Sequence, residues 1–436
     1  MKSAHLFAAR ALMGLPPPSP EKIRQIQERA LRQLVQHAYH RVPFYRQLFD
    51  NHGVSPKNIR SLEDLHRLPV ISRKDLQQTD MPSRIAEGVD IEKLFIERTS
   101  GSSGEPLTVL NTYLERRLFF GYYTRVRRHF GLRATDSLVS ITIPPCVPDV
   151  CLPKRLAHWL NLYRNKSINA LQPTRDILRI MRKHQIDILA GMPTALHELA
   201  IHATREDQQA IRPKCIQSGG DTLTPSVQKR LREVFRAPVR QAYGSHEFKL
   251  IAWECTETGE MHTCDDALIV EILKDGRPAK PGETGELVAT NLISYAMPFI
   301  RYRLGDLVTQ GSPKCSCGAP FGTLRKVEGR AMDYLKLPGG QKLHPYVVLS
   351  PILYETDWVA KYQIVQHSLK SATMLIQPLR EPSEAEVRKS ETRVRKALAG
   401  ALDFKIKIVG NIPPNPGGKH RILRFEPDNK PKSASQ

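Results

Sequence analysis

From about residue 90 to 310 short β-branched runs alternate with helical stretches, and no other feature narrows the possible folds of this chain so far. The runs 137–143, 186–190, 214–218, 239–242, 268–273 and 285–289 read as strands, and 174–184, 194–203 and 225–235 read as helices. Strands separated by helices pair in parallel, so the pattern predicts an α/β fold. An amphipathic helix precedes it, with Ser19 as N-cap, Pro20 in the first turn and apolar residues from Ile23 to Ala38 at three- and four-residue steps. Residues 274–285, KDGRPAKPGETG, form a turn-rich break between two strands. Past Arg330 the texture changes to short strands, a charged helical run at 381–399 and a Pro/Gly loop at 413–418. The expected architecture is therefore a large N-terminal domain, residues 1–330, with mixed and parallel sheets flanked by helices. A small mobile α+β domain, residues 331–436, would follow it.

Composition excludes several classes. In a chain of 436 residues with 40% hydrophobic and 25% charged residues, charges interrupt each apolar stretch before it reaches the roughly 18 residues of a membrane span. Arg10 breaks the short apolar run near the start, and no signal peptide is read there. Lys and Arg number 65 against 44 Asp and Glu, a formal charge of +21, which favours acidic partners. Arg125, Arg127 and Arg128, and Arg164, Lys166, Arg175 and Arg179, sit among apolar residues and read as solvated helix faces rather than a nucleic-acid footprint. Seven cysteines, an odd count, suit a reducing compartment, and a cytoplasmic setting is expected.

Four segments carry chemistry. Thr99, Ser100, Gly101, Ser102, Ser103 and Gly104 follow a strand and offer backbone N–H groups and hydroxyls to phosphate oxygens, although such a loop also reads as a linker and has no Walker lysine. Tyr243-Gly244-Ser245-His246-Glu247 ends a strand, where α/β ligand sites lie; Tyr243 offers a stacking face and Glu247 an oxygen for Mg²⁺, against the plainer reading of a turn. In Arg301-Tyr302-Arg303-Leu304-Gly305-Asp306 a carboxylate stands beside two guanidiniums, suited to gripping paired ribose hydroxyls or to a surface ion pair. Lys419 lies in the glycine loop 415–421, where an ammonium could stabilise phosphoryl charge or simply be solvated.

In this order, and with Gln217-Ser218-Gly219-Gly220-Asp221 and the pair Gly329-Arg330, these segments resemble the adenylate-forming superfamily of acyl-CoA synthetases, adenylation domains and luciferases. LVQHAYHRVPFYRQLF followed by SLEDLHRLPVISRKDL is similar to the opening of its phenylacetate-CoA ligase-like branch. The resemblance implies that Thr99 to Gly104 grip the triphosphate and that Gly219, Gly220, Asp221, Tyr243, Gly244 and Ser245 contact the nucleotide. It further implies that Glu247 binds Mg²⁺, Asp306 takes the ribose hydroxyls, Arg330 touches the nucleotide, and Lys419 bridges the acyl carboxylate and the α-phosphate. The chain departs from the family at Glu105, where many members carry Lys, and at Met332-Asp333, where a charged hinge residue usually stands.

Cys255-x6-His262 and Cys315-x-Cys317 offer four ligands for a closed tetrahedral zinc site, favoured over free thiols, with Cys264 competing as the fourth ligand. The aromatic stretch Tyr113, Phe119, Phe120, Tyr122 and Tyr123 reads as a core-facing helix.

The activity implied is ATP-dependent, AMP-forming ligation of an aryl carboxylic acid to coenzyme A, with ATP, Mg²⁺, coenzyme A and structural Zn²⁺ as cofactors. The alternative passes the acyl group to a carrier protein, an amine or a hydroxyl. A non-enzymatic nucleic-acid-binding protein with a zinc knuckle is the reading from a different class. The expected partners are small molecules, with an acyl carrier protein and a second copy of the chain as further candidates and no nucleic acid.

Overall fold

A computed structural model describes residues 10, 13–98, 107–142, 162–170, 172–220, 223–330, 335–338, 342–343, 348, 352, 356, 358–378, 380–398, 400–412 and 423–426. Two compact units emerge. Of the described residues, the first unit holds those up to Gly329 apart from 223–233, which group with the second unit and the described residues from Arg330 on. None of the described helices is long and apolar enough to cross a membrane.

The first unit opens on helix α1 (Pro20–Arg41). The Ser19 hydroxyl accepts from the Lys22 N–H at 3.3 Å, Pro20 stands where no intrahelical donor is needed, and Val42 before Pro43 ends the helix. Its stripe of Ile23, Ile26, Ala30, Leu31, Leu34, Val35 and Ala38 is buried in the main core, each large side chain contributing about 2 kcal/mol. The Gln27 amide donates to the Leu268 carbonyl at 2.9 Å and fixes the docking.

The strands of this unit are β1 (Phe95–Arg98), β2 (Thr108–Asn111), β3 (Leu138–Thr142), β4 (Asn165–Asn169), β5 (Ile188–Gly191), β6 (Cys215–Ser218) and β7 (Val239–Tyr243). Seven more follow: β8 (Ala252–Glu254), β9 (Met261–Thr263), β10 (Leu268–Lys274), β11 (Arg277–Pro278), β12 (Thr284–Asn291), β13 (Tyr302–Gln310) and β14 (Thr323–Arg330). β1 and β2 pair alone; the others form one sheet in the order β11-β10-β12-β13-β14-β9-β8-β7-β6-β5-β3-β4. The half from β4 to β7 is parallel. Its short strands carry buried Val139, Ile141, Ile188, Leu189, Ile216 and Val239, as expected of strands covered on both faces. Helices at Thr174–Arg182 and Pro193–His202 supply crossovers, and the helix Pro225–Phe235 lies between β6 and β7 in sequence, matching the expected α/β alternation. β7 is the seam, parallel to β6 and antiparallel to β8.

The segment before β1 is clamped to the sheet by Arg301. Its guanidinium donates to both Glu271 oxygens, at 2.8 and 3.0 Å, and to the carbonyls of Leu68 and His66, at 2.6 and 3.3 Å. The backbones of Arg301 and Arg303 meanwhile bracket Ile71. The two guanidiniums expected beside Asp306 are thus committed elsewhere, Arg301 to Glu271 and Arg303 to Glu286.

In the second unit β17 (Val359–Ser368) and β18 (Ser371–Pro378) form a hairpin, flanked by β19 (Asp403–Ile408) and β20 (Leu423–Phe425) in the order β19-β18-β17-β20; β15 (Leu335–Lys336) and β16 (Lys342–Leu343) pair separately. Helix α2 (Glu384–Leu398) starts at a capping exchange between Ser383 and Glu386. Its Val394 and Leu398 share a core with Ile364, Met374, Ile376 and Phe404, an α+β arrangement.

Arg301→Met removes the cation from a carboxylate that keeps little solvent, with side chains 7% and 17% exposed for Arg301 and Glu271. The expected loss is about 2–3 kcal/mol of folding stability, read from urea unfolding; a change no larger than an exposed ion pair gives would mean that Arg301 clamps nothing.

Candidate active site

β5, β6 and β7 end side by side, at Gly191, Ser218 and Tyr243. The Gly219 N–H donates to the Gly191 carbonyl at 3.3 Å, and a Cβ on Gly219 would lie 2.5 Å from the Ala242 carbonyl, so the strands leave room for no side chain there. Gly220 follows with φ +84°. The Ser218 hydroxyl is fully buried and has no hydrogen-bond partner among the described residues. This is the carboxyl edge of a parallel sheet, where the peptide ends leave a crevice for ligands.

Beyond β7 the chain folds back on itself. The Ser245 carbonyl accepts from the Lys249 N–H at 2.7 Å, and its hydroxyl accepts from the Phe248 N–H at 3.2 Å. Lys249 takes the left-handed conformation, φ +59°, and brings its carbonyl to within 1.8 Å of where a Gly244 Cβ would stand. Glycine at 244 is therefore a steric requirement. The turn sets Glu247, which is buried, against the Tyr302 hydroxyl at 3.3 Å, while the Asn291 amide holds the Glu247 carbonyl at 2.9 Å.

Asp306 arrives by a bulge. β12 and β13 pair Glu286 with Leu307 but Val288 with Arg303, so Leu304, Gly305 and Asp306 stand opposite Leu287 alone. Gly305, at φ +80°, takes the bend. The displaced Asp306 carboxylate accepts from the Tyr243 hydroxyl at 2.5 Å. An aromatic face and two carboxylates, expected from separate stretches of sequence, thus gather at the end of β7.

A group that the sequence reading missed lies under this turn. The Lys249 ammonium is paired with Glu97 of β1 and donates to the His246 carbonyl at 2.9 Å. Burial pulls its pKa down to about 7, a loss of charge that the Glu97 carboxylate opposes. The signal in the sequence was a lone lysine inside the apolar run FKLIAW.

The second cluster is built on the β8–β9 hairpin and the connection from β13 to β14. Cys255 directly follows β8, His262 stands on β9 opposite Trp253, and Gly318 at φ +76° closes the turn that brings Cys315 and Cys317 over them. Their four ligand atoms lie within 4.8 Å of one another. Sulfurs 3.7 Å apart in Cys255 and Cys315, and Cys317 sulfur 3.2 Å from the His262 Nε2, approach the edges of about 3.5–3.8 Å of a tetrahedron built on metal–ligand bonds of about 2.0–2.3 Å. The site fits a small tetrahedral ion. Burial, with His129 alongside, pushes the His262 imidazole down to about 4 and so keeps it neutral, the form that coordinates.

Cys264 does not belong to the cluster. β9 stops at Thr263, and the Cys264 thiol faces Asp266 and the Arg125 guanidinium, at 3.7 and 3.4 Å. Arg125 itself is a correction to the expectation of a solvated face. Its side chain is 14% exposed, paired with Asp266 and packed over Tyr122, Trp253 and Phe321. The aromatic stretch forms the helix Tyr113–His129, with Phe119 and Tyr122 buried and Tyr113 about half exposed.

Thr99, Ser100, Gly101, Ser102, Ser103, Gly104, Glu105, Asp221, Met332, Asp333 and Lys419 lie outside the described residues. Arg330 is described only as the last backbone position of β14.

Glycine turns, a tyrosine and carboxylates at the carboxyl edge of a parallel sheet stand where α/β enzymes bind their ligands. The family model of AMP-binding enzymes matches residues 26–292, and the chain belongs to that family. It is 26% identical to the phenylacetate-coenzyme A ligase of Thermus thermophilus over 441 residues, covering 95% of this chain and 94% of that one. It is 21% identical to protein CapK of Staphylococcus aureus, over 87% and 84% of the two chains. In fold it is similar to 2-hydroxyisobutyryl-CoA ligase in its postadenylation state, with a TM-score of 0.79 at 21% identity over 96% of this chain and 92% of that one.

Gly244→Ala forces a methyl group into the Lys249 carbonyl and displaces the turn. It is expected to lower adenylation at least about a hundredfold, read as ATP–pyrophosphate exchange, since misplacement by about 1 Å costs that much. Exchange at the wild-type rate would mean that the turn is not part of the site.

Proposed function

We propose that this enzyme activates a carboxylic acid with MgATP as the acyl-adenylate and passes the acyl group to coenzyme A. The observation that carries the reading is the gathering of Tyr243, Glu247 and Asp306 at the end of β7, on a chain that aligns with a phenylacetate-coenzyme A ligase over nearly its whole length. In the first step a substrate carboxylate oxygen attacks the α-phosphorus, the bond to the β-phosphate oxygen breaks, and pyrophosphate leaves. In the second the coenzyme A thiol attacks the acyl carbonyl, loses its proton, and AMP departs. A carboxylate resists attack until its oxygen becomes part of a good leaving group, which AMP is.

The residues act by position and charge. The Tyr243 ring is held at its hydroxyl by Asp306, which suits a fixed stacking face for adenine, and the Asp306 carboxylate is thereby oriented toward ribose hydroxyls. Gly219 and Gly220 let the backbone approach the nucleotide, Gly244 and Ser245 continue that wall, and Asp221 is assigned a nucleotide contact. Thr99 to Gly104 receive the triphosphate, Glu247 holds the magnesium that neutralises phosphate charge, Arg330 contacts the nucleotide, and Lys419 supplies a cation between carboxylate and α-phosphate. An aryl acid is the substrate class to test first, given the relative named for phenylacetate. Because ATP and coenzyme A are required, the cytoplasm is the proposed setting.

Three thiolates and one imidazole are a donor set typical of structural zinc, and with all four positions filled by protein the ion would have no open site for chemistry.

ATP–pyrophosphate exchange across a panel of aryl and fatty acids is expected to occur with one acid class, and AMP release to rise when coenzyme A is added. If exchange occurs while only an acyl carrier protein, an amine or a hydroxyl accelerates AMP release, the acceptor is wrong. Failure to bind ATP would remove the proposal. Lys419→Ala is expected to abolish exchange and to leave thiolysis of supplied acyl-AMP intact; equal loss of both half-reactions would discard its assigned role.

Metal analysis is expected to find about one zinc per chain, and Cys315→Ser to lose it with a fall in melting temperature. Below that temperature the variant's exchange rate should stay within about twofold of wild type. A large drop in a folded, zinc-free protein would overturn the purely structural assignment.

A further inference from the structure

Strand β1 ends one residue before Thr99, and its Glu97 side chain reaches across to the turn that carries Tyr243 and Glu247. Glu97 lies two residues before Thr99, on a strand that among the described residues pairs with β2 alone. Its carboxylate is paired with the Lys249 ammonium and lies 3.9 Å from the His246 imidazole. The Lys249 and Glu97 side chains are 13% and 11% exposed, so solvent screens the pair little. From the other side the Tyr123 hydroxyl donates to the Lys249 carbonyl at 3.1 Å, and Tyr123 belongs to the helix that begins just after β2. Lys249 therefore contacts the strand before residues 99–106, the helix that follows β2, and the turn ending at Glu247.

We infer that Lys249 is a positioning residue for adenylation, which through Glu97 sets where the chain enters the phosphate loop relative to Tyr243 and Glu247. The inference rests on the ligase reading above. Sequence motifs point to neither residue, because Lys249 lies beyond the motif Tyr243–Glu247 and Glu97 before Thr99. The ammonium touches no reacting atom; its contribution is to hold two parts of a nucleotide site in register. Arginine can keep the charge and reach the carboxylate, whereas methionine keeps the length and apolar stem alone.

The test combines MgATP binding by calorimetry, in the absence of any acid, with KM and kcat in ATP–pyrophosphate exchange. Lys249→Met and Glu97→Gln are each expected to weaken MgATP binding and raise the KM for ATP about tenfold, with a smaller change in kcat. Lys249→Arg should recover most of the loss, and the double variant Lys249→Met with Glu97→Gln should be no worse than either single one, as two halves of one contact require. Wild-type ATP affinity and KM in a folded Lys249→Met protein would overturn the inference and leave the ligase reading standing. So would losses that add in the double variant, or that follow melting temperature without rescue by Arg. No MgATP binding by the wild-type chain would bring down the ligase reading and the inference with it.

Discussion

Strand β7 is bonded to a parallel neighbour on one side and an antiparallel one on the other, and the arrangement of the first unit depends on that double pairing. Parallel strands need crossover connections, which place the helices and leave the carboxyl edge open. Antiparallel strands need only hairpins, which let Cys255 be delivered by a turn and Asp306 by a bulge, with His262 on β9 itself. Tyr243 is the last residue of β7 and the first of the site. Its backbone is fixed by the sheet, so the placement of its ring and of the turn behind it needs little further support than Gly244 and Asp306 provide.

Buried ion pairs then join segments far apart in sequence. Arg125 with Asp266 and Lys249 with Glu97 link the sheet's turns to elements that pack on it, and Arg301, paired with Glu271 inside the sheet, reaches the carbonyls of Leu68 and His66 on the segment before β1. A net charge of +21 suggests an electrostatic surface, yet these three cations point inward. Each gains geometry more than stability, since a desolvated pair returns little net energy but tolerates few arrangements.

The alternation of strands and helices was legible because hydrophobic period and glycine placement are local properties, and the expected ranges fall within a few residues of the observed elements. The strand-ending turn and the LGD step were legible for the same reason: Gly244 and Gly305 sit where the backbone admits no other residue comfortably. Partners could not be read. That Arg301 would serve Glu271 and leave Asp306 to Tyr243 depends on strand order, which spacing does not encode. The choice between His262 and Cys264 depended on where β9 stops, a boundary set by neighbouring strands. Lys249 was missed because a lone cation in an apolar run announces a buried partner without naming it.

The bulge in β13 separates two kinds of inheritance. Glu286–Leu307 and Val288–Arg303 differ in register by two residues, an even number, so side chains beyond the bulge keep their faces. A lineage that lost two residues there would regain a regular ladder with its core intact while giving up the displaced carboxylate. A lineage that lost one would turn a whole strand inside out. Such a chain can therefore lose the Tyr243–Asp306 contact and keep its fold in a single in-frame step, and a descendant of that kind would still look like a member of the family everywhere except at Asp306.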